Sequence, residues 1–105
     1  MHGDLHFRHL LVGGGVARGV IDWGDVCLSD PAIDLPLLWS FVPPRGRAAF
    51  LDAYGPVNEA QLLRARVLAI QLCAVLARYG RLEGVAGVER EAVAGLERSL
   101  DDGQR

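Results

Sequence analysis

The sequence predicts an α+β domain that is mostly helical, with one short β-hairpin near the amino end and helices from there on. Three observations predict it. Gly13-Gly14-Gly15 separates two apolar runs, and three glycines in a row turn a chain rather than extend it. Helix signals follow in order: Asp30-Pro31 and Asn58 as starts, Pro43-Pro44 and Gly55-Pro56 as stops. From Leu62 to Tyr79 apolar residues recur at helical spacing.

Each element follows from these signals. Residues 2–9 read as a loop, 10–13 as a strand, and 16–22 as the return strand that delivers Asp22 at its end. A loop over 23–29 leads to a helix with Asp30 as N-cap and Pro31 at its first position, where a missing amide costs nothing. It runs towards Phe41 with Ile33, Leu35, Leu37, Leu38 and Phe41 buried, and Pro36 either bends it or delays its regular start. A short helix over 45–54 ends at Gly55-Pro56. Asn58 caps the longest helix, whose stripe of Leu62, Leu63, Val67, Ile70, Cys73 and Val75 or Leu76 is expected to face the core. Gly80 to Gly87 reads as a loose connection. The last helix, about 85–100, is expected to turn Val88, Val93, Leu96 and Leu100 inward, and the tail 101–105 to fray.

A chain of 105 residues has room for one compact domain and one core. Its net charge of −2, with no basic block, gives nucleic-acid binding no electrostatic support. Cys27 and Cys73 are too few for a disulfide framework and point to a reduced, cytoplasmic setting. No signal peptide precedes His2, and no uninterrupted apolar run approaches the ~20 residues of a membrane span, so no membrane partner is expected.

The chemistry-bearing residues gather early, in His2-Gly3-Asp4-Leu5-His6, Ile21-Asp22-Trp23-Gly24-Asp25 and Asp30-Pro31-Ala32-Ile33-Asp34-Leu35. Closing the hairpin brings Asp4 and Asp22 to the same end of the two strands, where a metal-bound anionic substrate would sit. Turn capping is the plainer use of either aspartate alone. His2, His6, His9 and Asp4 also form a compact set, which leaves a metal-dependent hydrolase as an alternative.

In this order and spacing the motifs resemble the catalytic half of the aminoglycoside phosphotransferase and choline kinase group, small-molecule relatives of the protein kinases. The resemblance is specific over residues 2–35 and elsewhere is only a compatible helical pattern. It implies the carboxy-terminal lobe of a protein-kinase-like fold. Residues 1–105 would be a partial phosphotransferase domain, with the catalytic loop and hairpin at 2–25 and a helical part at 30–100. The implied activity is transfer of the γ-phosphoryl group of ATP, with Mg2+, to a hydroxyl of an aminoglycoside-like or amino-alcohol acceptor.

Carried over by position, Asp4 accepts the proton of the acceptor hydroxyl, His6 lies near the transferred phosphate, and Asp22 binds the metal. His9 stands where the family has Asn as a second metal ligand. Imidazole is a softer donor than magnesium prefers, so His9 either joins the metal and phosphates or holds the loop. Arg8 pairs with phosphate or with an acidic neighbour such as Asp25 or Asp30. His2 holds the loop's shape, Asp30 caps its helix, and Asp34 braces the catalytic loop. Glu59, Glu83, Glu89, Glu91 and Glu97 would attract a cationic acceptor or form an ordinary solvated face.

The family's amino-terminal lobe covers ATP with a glycine-rich strand and grips it with a lysine. This sequence has no lysine, and its glycine run follows the catalytic-type loop. The chain is therefore expected to be the carboxy-terminal part of a longer enzyme. An inactive lobe serving as a binding module is the second alternative. Leu10, Val12, Val20 and Trp23 are expected to expose an apolar surface that a dimer mate or partner chain covers.

Overall fold

The computed structural model describes residues 2, 3, 5, 7–20 and 30–102, with the backbone alone at Ala17 and Arg18. A 3-10 turn, Phe7–His9, leads into an antiparallel hairpin of β1 (Leu10–Gly13) and β2 (Val16–Val20). Among the described residues four α-helices follow: α1 (Pro36–Ser40), α2 (Arg47–Tyr54), α3 (Glu59–Leu82) and α4 (Ala86–Leu100), with 3-10 turns at Pro31–Ile33 and Pro44–Gly46. The α+β class with helix predominating is what the sequence predicts.

The hairpin closes through Gly14 and Gly15, at φ 60° and 75°. Positive φ at both central residues is the turn that matches strand twist, and glycine adopts it without strain. Leu10 pairs with Val20 at the open end and Gly13 with Val16 at the turn. The register slips between Leu11 and Val12, which face Gly19 and Ala17, so Arg18 is an extra residue in β2. Leu11, Val12 and Val16 are exposed, whereas Leu10 and Val20 are half-buried. The expected strand end at 21–22 and Trp23 lie outside the described residues.

Pro36 does delay the helix. Asp30 caps only the 3-10 turn Pro31–Ile33, and regular α-helix begins at Pro36 as α1. Leu35, between the two, is fully buried with Ala32 and Ala65, and Trp39, Phe50 and Val57 pack around them. Asn58 starts α3 through a reciprocal capping box: its side chain accepts from the Gln61 amide at 2.8 Å, and the Gln61 side chain accepts from the Asn58 amide at 3.1 Å.

The expected faces of α3 and α4 need correction. The buried stripe of α3 is Ala65, Ala69, Cys73, Leu76 and Gly80, while Leu63, Val67 and Val75 are exposed. On α4 the buried residues are Ala92, Gly95 and Ser99, and Val93 and Leu100 are exposed. Small residues let the two helices approach closely and displace the larger ones sideways. A Cβ on Gly95 would lie 2.7 Å from Cys73 Sγ, and one on Gly80 would lie 2.6 Å from the Glu89 amide nitrogen. Burial pushes the Cys73 thiol above its ordinary pKa.

Gly80 therefore belongs to the helix rather than to a loose connection. The chain turns instead at Gly84, φ 71°, with the Val85 amide donating to Gly80 O at 2.8 Å, the six-to-one bond of a Schellman motif. By length and composition α3 is also apolar enough to cross a membrane. An expectation based on uninterrupted apolar runs misses this, because arginines are interspersed along the helix. Only its small-residue face is buried, against α4 and α1, where Arg66 Nε donates to Ser99 O at 2.7 Å.

Trp39 ties the helices together. The guanidinium groups of Arg47 and Arg66 both lie over its ring, at 4.5 and 4.8 Å from the centroid, and its Nε1 donates to Leu62 O at 3.1 Å. Arg47 is buried and donates to Arg98 O and Asp101 O, both at 2.6 Å, so it closes the carboxy end of α4. Burial lowers its pKa from the ordinary arginine value.

Candidate functional site

The site is built on the short stretch Asp30–Leu35. The Asp30 carboxylate accepts from the Ala32 amide at 2.9 Å and closes the turn, and the Asp34 amide donates to Pro31 O at 3.0 Å. Leu35 then buries completely. With a tight turn on one side and an anchor on the other, the Asp34 side chain has a set direction. It accepts from the His2 amide and, at 2.9 Å, from the Gly3 amide. Gly3 has φ 92°, a region where a side chain would be strained, and this conformation is the one in which its amide meets Asp34. One carboxylate thus holds the backbone on the amino side of Asp4 across 31 residues of chain.

Two imidazoles of this stretch, those of His2 and His9, turn inward. His2 and His9 are both buried, with ring centroids 5.6 Å apart and planes tilted by 33°. Arg8 lies over the Tyr79 ring of α3, 5.5 Å from its centroid. Asp30 takes a cation the sequence did not suggest: Arg64 Nη2 donates to it at 2.6 Å. The Ala32 amide lowers the Asp30 pKa most; desolvation opposes it, and the hydrogen bond and charge of Arg64 add to the lowering. An open apolar groove of about 300 Å3 lies under the loop, between Gly3, Leu5, Ile33 and Pro36 on one wall and Leu68, Leu72 and Val75 of α3 on the other. None of the five glutamates lines it; Glu91 pairs with Arg98 at 2.9 Å on α4.

Asp4, His6 and Asp22, and with them Asp25, lie outside the described residues. Among the described residues His2, Gly3, His9 and Asp34 come together, whereas Arg8 turns to α3 and Asp30 to Arg64. No group of three or more His, Cys, Asp or Glu gathers among the described residues as a metal site. Arg64 and Tyr79 are the partners that sequence reasoning missed. Nothing in the sequence marks either, since each meets its partner only after α3 has docked.

The phosphotransferase enzyme family (APH) matches residues 1–70, which include the whole of this loop, hairpin and brace. The chain belongs to that family. No curated protein and no solved structure gives a significant match. The matched segment ends within α3, so α4 and the Schellman turn lie beyond the matched residues.

Proposed function

We propose that the chain is the carboxy-terminal catalytic lobe of an ATP-dependent small-molecule kinase, transferring the γ-phosphoryl group to a hydroxyl of an aminoglycoside-like or amino-alcohol acceptor. The observation that carries the reading is the Asp34 carboxylate on the amides of His2 and Gly3. Phosphoryl transfer depends on positioning, and this contact holds the backbone directly ahead of Asp4. The pairing of Leu10 with Val20 at the open end of the hairpin supports bringing Asp4 and Asp22 to one place.

Asp4 takes the proton of the acceptor hydroxyl as its oxygen bonds to phosphorus and the bond to the ADP oxygen breaks. Asp22 is a hard oxygen donor of the kind Mg2+ prefers, and with the nucleotide's phosphates it would hold the ion. When bound, the ion neutralises charge on those phosphates. His9, buried beside His2, is assigned to holding the loop rather than to the metal. His6 and Arg8 are left for the transferred phosphate, with Arg8 leaving Tyr79 to reach it.

The test is a magnesium and ATP titration of the enzyme carrying this segment, in the parent and in single variants. Asp22→Asn should weaken metal-nucleotide binding as well as turnover. Asp4→Asn should leave nucleotide affinity intact and lower the rate by about a hundredfold to ten-thousandfold. His9→Asn and His9→Ala should both reduce stability and leave the magnesium requirement unchanged. Equal loss of nucleotide affinity in Asp4→Asn and Asp22→Asn would sink this division of roles.

A further inference from the structure

Asp30 and Asp34 stand at the two ends of one short turn, and each uses both of its carboxylate oxygens. Asp30 Oδ1 accepts from the Ala32 amide at 2.9 Å, inside the turn, and Oδ2 accepts from Arg64 Nη2 of α3 at 2.6 Å. Asp34 Oδ1 accepts from the Gly3 amide at 2.9 Å, and Oδ2 from the His2 amide. One carboxylate thus reaches the long helix and the other the amino-terminal loop.

The turn between them is too closed to absorb a movement at one end. The Ile33 amide donates to Asp30 O and the Asp34 amide to Pro31 O, both at 3.0 Å, and the Pro31 ring fixes a further backbone angle. Ala32 and Leu35 hold the turn by burial, which is non-directional and does not choose among neighbouring orientations. The charge-assisted bond from Arg64 is directional and does choose. Arg64 is itself well rooted, because its neighbour Ala65 is fully buried and the capping box at Asn58 fixes the start of α3.

We propose that Arg64 is a positioning residue: through Asp30, the turn and Asp34, it sets the backbone of His2 and Gly3 directly ahead of Asp4. Its use in phosphoryl transfer rests on the catalytic reading above, whereas the mechanical link does not. The side chains of the pair are 54 and 36% exposed, so the pair adds little to global stability and its effect is local.

Hydrogen exchange of the His2 and Gly3 amides in the 105-residue chain reads the link directly. Arg64→Met should accelerate both about twofold to fivefold, the worth of an exposed ion pair, and leave protection in α3 and α4 unchanged. Arg64→Lys keeps the charge without the planar fork and should restore part of the protection. Asp30→Asn should match Arg64→Met, because asparagine still caps the turn. Arg78→Met removes an equal charge from the same helix and should alter neither amide. In an Asp34→Ala background, Arg64→Met should add nothing, because the link runs through Asp34. In the enzyme carrying this segment, Arg64→Met should lower kcat and leave the KM for ATP as it was.

Unchanged exchange in Arg64→Met, or an equal effect in Arg78→Met, overturns the proposal and leaves the catalytic reading standing. Accelerated exchange with an undiminished kcat overturns it too, because the loop's position is then not used in turnover. A parent enzyme without phosphoryl transfer overturns the catalytic reading instead, and accelerated exchange in Arg64→Met then still establishes the link.

Discussion

The amino-terminal loop and the α3–α4 pair are held by opposite means. The loop at His2 and Gly3 is fastened by an added group, the Asp34 carboxylate reaching two amides from a distant turn. The helix pair is fastened by what is left out, since Gly80 and Gly95 leave no Cβ where the neighbouring helix passes. A polar brace sets the position of a few atoms and leaves the surroundings open, which suits a loop beside an open groove. Close packing of small residues fixes whole helices and leaves little room to move. The family's motifs gather in the first region, and the tightest packing lies in the second. The fastening of the loop and the packing of the helices are thus carried by different residues.

The largest effect should come from filling the helix contact. Gly80→Ala gains about 1 kcal/mol in helix propensity but places a methyl 2.6 Å from the Glu89 amide nitrogen, a backbone atom that cannot swing aside. Overpacking of this kind costs about 1–3 kcal/mol and should prevail, as a lowered urea midpoint will show. Gly87→Ala is the counterpart, because its Cβ would meet only an arginine side chain at 3.8 Å. It should be neutral or stabilising. If Gly80→Ala behaves like Gly87→Ala, the contrast between the two regions fails on the helical side.

A smaller global effect, under about 1 kcal/mol, is expected for Asp34→Ala, because a loop opens locally at less cost than the whole fold. Its local effect should be large. Hydrogen exchange of the His2 and Gly3 amides should accelerate about tenfold to a hundredfold, the worth of a charge-assisted bond, while protection in α3 and α4 stays as it was. Loss of protection throughout the molecule would mean that the loop and the helices are one cooperative unit.

The smallest effect should be the acid response of Asp30. The Ala32 amide and Arg64 favour its charged form, so its pKa is lower in the folded chain than in the unfolded one. The stability it contributes is then complete above the ordinary carboxylate value and is lost as pH falls through the depressed one. The gap in thermal midpoint between the parent and Asp30→Asn should be steady near neutrality and close as the solution is acidified. The Asp30 side chain keeps about a third of its surface in solvent and its partner Arg64 about half, so added salt should shrink the gap too.

Much of this was legible in local sequence. Gly13-Gly14-Gly15 places the hairpin turn, Asp30-Pro31 and Asn58 the starts of turn and helix, and Gly55-Pro56 a stop, because each acts through its own backbone within a few residues. The motif order from His2 to Leu35 led to the family in the same way, and the assignment of a brace to Asp34 came from that resemblance. Periodicity found α3 and α4 as helices but misplaced their faces by about one position. Cys73 and Leu76 are buried as the stripe expected, but weighting by apolar size also favours Val67, Val75 and Val93, whereas the rest of the contact is made by Ala69, Gly80 and Gly95.

By itself, then, the sequence determined where the chain turns, where its helices begin and to which family the chain belongs. Only the tertiary structure decided which side of α3 is inside, that Gly80 continues the helix while Gly84 ends it, and that Arg64 rather than Arg8 serves Asp30 at 2.6 Å. The physical reason is range. A cap or a glycine turn is settled by atoms a few bonds away, but a helix face is settled by how closely another helix approaches, and a small residue announces that only when its neighbour is in place.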